Sequence, residues 1–128
     1  MADFIVWNWP FAVASALTLA VFVLHVVAGG REVRPVLNDQ TLGRQARMTL
    51  AYAWSLVSAG LLATALVFLA AALRPEWVAI GWAAGLMVAI FAVVSLWQTV
   101  ANKLPITMVG QWMFFAPIAA LALWGATR

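Results

Sequence analysis

Cysteine is absent from this chain of 128 residues. That excludes disulfide relays, thiolate nucleophiles and Cys-ligated metal sites. The quinone-linked disulfide oxidoreductases, which are small four-helix membrane proteins too, are excluded with them. Histidine occurs once, as His25, so no metal cluster built on His is expected within one chain. The acids number four, Asp3, Glu32, Asp39 and Glu76, and none falls inside an apolar run. Proton- and cation-coupled carriers usually hold an intramembrane acid, which counts against small drug exporters of this size. No phosphate-cradling Gly loop and no nucleophile elbow is present. With no catalytic set legible and no cofactor implied, an enzyme is not the favoured expectation. Charge of either sign is scarce at 9% of residues. The sequence pI near 10.7 rests on seven basic residues, most of them where membrane topology would put them, so nucleic acid is not an expected partner.

What is present is apolar surface. Hydrophobic residues make up 66% of the chain, and the mean hydropathy is +1.01. Soluble domains are roughly half apolar and about a quarter charged. A water-soluble globule of this length has too much surface to hide such a composition, and disorder needs the opposite one. A bilayer-spanning helix takes about 20 apolar residues, so the chain has room for four. The expected fold is all-α: one domain, residues 1–128, forming an antiparallel bundle of four transmembrane helices over about 11–30, 48–73, 77–101 and 106–127.

Local signals set these boundaries. Pro10 suits a first helical turn, and Trp7 and Trp9 precede it as interfacial anchors. Arg31 to Arg47 is the longest polar stretch, and Pro35 within it is expected to break any helix carried over from the first span. The second span is longer than a bilayer needs, so it should tilt or project. Arg74-Pro75-Glu76 and Asn102-Lys103-Leu104-Pro105 read as tight turns, which make consecutive helices antiparallel neighbours. Pro117 should kink the fourth helix. Arg31, Arg34, Arg44, Arg47 and Lys103 lie at one side, Arg74 and Arg128 at the other. That bias places the first and third loops in the cytoplasm and, in a bacterial inner membrane, both termini in the periplasm. The four loop arginines are topology determinants first and anionic-lipid contacts second.

At 1.5 Å per residue, His25, Tyr52, Trp54, Ser55, Gln98, Asn102, Gln111 and Trp112 fall at similar depths on four different helices, in the cytoplasmic half. On the third helix, Gly81, Gly85, Val88, Ala92, Ser95, Thr99 and Asn102 step by fours and threes into one small or polar stripe. Ser15, Thr18, Phe22, His25 and Gly29 do the same on the first. Polar side chains in hydrocarbon turn inward, so a polar layer is expected inside the bundle and stands as the candidate ligand site. The plain alternative is interhelical hydrogen bonding with no ligand, with His25 a packing residue and the tryptophans filling space. Gly81 and Gly85 make a G-x-x-x-G match that serves packing within the chain, a homo-oligomer or a partner subunit equally well.

His25 followed by Gly29-Gly30-Arg31 and Arg34-Pro35-Val36-Leu37, Trp54-Ser55, and Gln111-Trp112 with Phe114-Phe115 resemble an uncharacterised group of small bacterial four-helix membrane proteins. That resemblance implies no activity; it marks His25, the Gly-Gly pair and Trp54 for testing. Fluoride channels and membrane glutathione-type transferases fit less well, because their intrahelical Asn, Phe and charged patterns find no counterpart. The functional expectation is a binding or accessory protein that holds a lipid, a quinone or a partner subunit at the polar layer. The alternatives are a small-solute or ion transporter or channel, and a haem or cofactor protein using His25 with one of Met48, Met87, Met108 or Met113.

Overall fold

The computed structural model describes residues 7–105 and 111–128. Among them every regular element is helical. Helix α1 (Trp9–Leu24) passes through a π-helical turn, His25–Gly29, into α2 (Gly30–Leu37). Then come α3 (Arg44–Leu73), a 3-10 turn at Pro75–Trp77, α4 (Val78–Ala101) and α5 (Gln111–Gly125). Three stretches are long and apolar enough to cross a membrane: Trp9–Leu37, Arg44–Leu73 and Pro75–Ala101. Helix α5 is apolar and shorter. The expected start of the fourth helix, 106–110, lies outside the described residues, as do Met108 within it and Asp3.

Helix limits differ from expectation around the arginines. Pro35 does not break the first helix, which runs on to Leu37. A proline removes one hydrogen bond to the residue four before it, here Arg31, and Arg31 is exposed, where the freed carbonyl is accessible to solvent. With only two residues left after Pro35, the helix loses little else. Helix α3 begins at Arg44 rather than near Met48. The expected seventeen-residue polar loop, 31–47, shrinks to the six residues 38–43 between the printed helix ends. In it the Thr41 hydroxyl and backbone N–H both donate to Asp39 Oδ1, at 2.7 and 2.9 Å. These bonds hold the Asp39 carboxyl below its usual range. At the other expected turn, Lys103 takes a left-handed conformation with φ 51°.

The core gathers at one end of the bundle. Phe11 and Ala14 of α1 meet Phe68, Ala71 and Ala72 of α3, Val88 of α4, and Ile118, Ala119 and Ala122 of α5. Phe11 stacks on Phe68 with ring centroids 6.0 Å apart. The Asn8 backbone N–H donates to the Ala72 carbonyl at 3.0 Å, and Asn8 Nδ2 donates to the Gly125 carbonyl at 2.8 Å, tying three helix ends together. Ser15 Oγ donates to the Ala65 carbonyl at 2.7 Å. Trp9 meets Trp124 edge-on, with the Arg128 guanidinium about 6 Å from both rings.

Glycine makes this end close-packed. A Cβ on Gly81 would stand 2.8 Å from both the Phe11 ring and Ala71 Cβ. One on Gly85 would stand 3.0 Å from Ala122 Cβ. Gly81, Gly85, Val88, Ser95 and Thr99 are all buried, so the small stripe of α4 faces inward; Asn102, at its end, is exposed. Gly81 and Gly85 pack against the chain's own Phe11, Ala71 and Ala122, as the within-chain reading of their spacing expects.

Candidate functional site

Away from this core the helices part. Helix α1 packs along α3 and α4 along α5, whereas α3 and α4 meet far less. Between them lies a half-open cavity of about 540 Å³. Leu56, Val57, Gly60, Leu61 and Thr64 form its α3 wall. Met87, Val88, Phe91, Val94, Ser95 and Gln98 form the α4 wall, and Gln111, Phe115 and Ile118 come from α5. Thr18 of α1 completes it. Phe91 and Phe115 meet at 6.2 Å on the α4–α5 side. A Cβ on Gly60 would find nothing within 4 Å, so the lining is open there.

The polar groups of the cavity are few and differ in what they still offer. Thr18 and Thr64 donate to the Ala14 and Gly60 carbonyls of their own helices, each at 2.7 Å. Their hydroxyls retain acceptor capacity only. Ser95 Oγ is buried with no hydrogen-bond partner among the described residues. Asn102 Nδ2 donates to Gln98 Oε1 at 3.1 Å and to the Gln98 carbonyl at 2.8 Å, which leaves the Gln98 side-chain NH₂ as a donor. Gln98 and Gln111 sit at the end of the cavity nearer the arginines; Leu61, Val88 and Ile118 close the end nearer the core.

The expected polar layer is therefore divided. Gln98 and Gln111 share the cavity. His25 and Trp54 do not line it; they stack on each other across the α1–α3 seam, with ring centroids 3.8 Å apart and planes within 18°. A Cβ on Gly29 would fall 2.6 Å from Trp54 Cη2, so the glycine is what admits the indole. His25 Nε2 is buried without a partner among the described residues. The same holds for Trp112 Nε1, with Trp112 itself half-buried. Tyr52 is 67% exposed and turns away from the bundle. Ser55 is exposed and donates to the Ala51 carbonyl of its own helix at 3.0 Å. Asn102 is exposed and spends its amide on Gln98. The candidate anionic-lipid contacts Arg31 and Arg34 lie on α2, and Arg44 and Arg47 open α3. None of the four lines the cavity.

Of the cavity residues, matched depth singles out Gln98 and Gln111; Thr18, Val88 and Ser95 appear only on the helical stripes, and Gly60 and Phe91 not at all. The inward face of α3 carried a signal: Arg47, Ala51, Trp54, Ser58, Leu61, Ala65, Phe68 and Ala72 alternate by fours and threes, and all are at least half-buried. That stripe excludes Tyr52 and Ser55 by helix phase.

No family model matches the chain, and no curated protein or solved structure is similar enough to match it. The site therefore rests on its own geometry.

Proposed function

We propose that this chain is a small integral membrane protein, an antiparallel four-helix bundle of the bacterial inner membrane, that binds a membrane amphiphile in the cavity between α3, α4 and α5. Its arginine end faces the cytoplasm and its termini the periplasm, by the bias of Lys and Arg. Arg31, Arg34, Arg44 and Arg47 lie at headgroup level and contact anionic lipid.

The observation that carries the reading is a cavity of about 540 Å³ with apolar walls and two amides at one end. Its size argues for an occupant. An empty apolar void costs about 24 cal/mol per Å³, which for 540 Å³ is about 13 kcal/mol. This is an upper bound for a cleft open on one side, yet it matches the whole stability of an ordinary domain, about 5–15 kcal/mol. Its open side admits hydrocarbon from a bilayer, and a lipid-like chain suits the apolar walls. A channel is the weaker reading, because Phe11, Phe68, Ala72, Val88 and Ile118 pack the other half of the bundle solidly.

Native mass spectrometry in mild detergent tests this. The wild-type protein should carry an adduct of lipid or quinone mass. Gly60→Phe, which projects a ring into open space, should keep its helicity and lose the adduct. An adduct held equally by both proteins would remove the cavity from consideration. A visible absorbance band would move the reading to a cofactor protein, and ion flux in liposomes would move it to transport.

A further inference from the structure

The chemistry of the cavity also restricts the head group of its occupant. Among the described residues, no charged side chain lines it. The segment 106–110 leading into α5, ITMVG, contains no charged residue either. The polar equipment is the Gln98 and Gln111 amides, the unpartnered Ser95 hydroxyl, and two threonine hydroxyls already committed as donors. An anionic phosphate seated there would lose its hydration with no cation to replace it. A carbonyl or hydroxyl would find an amide NH₂ to donate to it and an amide oxygen to accept from it.

Resting on the reading of the cavity as a binding site, we propose that it selects an uncharged amphiphile: one hydrocarbon chain ending in a carbonyl- or hydroxyl-bearing head. The head sits between Gln98 and Gln111, and the chain lies along Gly60, Phe91 and Phe115 toward the core. From Val88 to Gln98 is ten residues of helix, about 15 Å of wall for the chain. Entry is lateral, through the gap between α3 and α4. The arginines make the contrast sharper: they draw anionic lipid to the rim, outside the cavity, so the two lipid classes meet different parts of the molecule.

The test compares two probes with one acyl chain, 1-oleoylglycerol and 1-oleoyl-lysophosphatidylglycerol, added at equal mole ratio to the protein in dodecylmaltoside. The readout is the midpoint of thermal unfolding. The neutral probe should raise it saturably, and Gly60→Phe should abolish that rise. Any rise from the anionic probe should survive Gly60→Phe unchanged, since it arises at the rim. Gln98→Leu gives the same reading without filling the cavity: it should weaken the neutral probe several-fold and leave the anionic one alone. It stands in if Gly60→Phe fails to fold. An anionic rise that Gly60→Phe abolishes would overturn the preference for an uncharged head while leaving the cavity a binding site. No rise from the neutral probe would overturn the head-group proposal. A neutral rise indifferent to Gly60→Phe would overturn both readings.

Discussion

Single residues separate packing from function most clearly at the glycines. Gly81 sits against the Phe11 ring and Ala71 at distances no Cβ tolerates, so Gly81→Ala must displace an aromatic ring in a filled core. Overpacking of that kind costs about 1–3 kcal/mol. Thermal unfolding in detergent should show the loss, and an unchanged midpoint would mean the seam is slack. At His25 the observed contact is a ring stack with Trp54. His25→Phe should keep it, while His25→Gln should lose about 0.5–1.5 kcal/mol, the usual worth of an aromatic pair. Equal stability of the two variants would argue that the stack contributes nothing. The small stripe on α4 was legible because Gly81, Gly85 and Val88 keep helical spacing without interruption. The partner of His25 was not. Depth follows from counting residues, but direction depends on phase, and the π turn at His25–Gly29 shifts the phase from His25 onward.

Among the elements, α3 is the one that fixes how the chain meets a bilayer. Its thirty residues measure about 45 Å, against about 30 Å of hydrocarbon. The 38–43 loop stands at one end of it and the Arg74–Glu76 ion pair, at 3.6 Å, at the other. Cysteines introduced at Gln40 and Glu76, both exposed, should react with an impermeant thiol reagent from opposite sides of intact vesicles. Reaction of both from one side would sink the transmembrane arrangement. The existence of the helices was readable from unbroken apolar runs. Their extension into residues 31–37 and 44–47 was not: these segments carry the four arginines and Pro35, so charge and proline both argued for loop. In the structure α2 touches α3 there, a tertiary contact no local rule contains.

For the whole molecule, the distribution of packing matters more than its amount. Buried apolar side chains crowd toward the end defined by Phe11, Phe68 and Ile118, whereas toward the other end α4 buries the small polar Ser95 and Thr99. Hydrogen exchange should follow this gradient: amides of residues 81–88 should outlast those of 95–101 on the same helix. Uniform protection along α4 would contradict an opened cleft. Sequence arithmetic found both ends of the cavity's polar pair, Gln98 and Gln111, but could not show that a gap lies between α3 and α4. A gap is made by what neighbouring helices fail to touch, and no residue type signals that.

Helices gripped at one end behave as levers. From Gly85, wedged against Ala122, to Gln98 is thirteen residues, an arm of about 20 Å. A rotation of only about 5° at the grip moves the far end by about 1.7 Å, close to the difference between a hydrogen bond and none. A small shift where Gly85 meets Ala122 is therefore magnified along the arm toward Gln98. If the cavity holds the proposed amphiphile, displacing α4 at Gln98 would load the packing of Gly81 and Gly85 at the other end of the same helix.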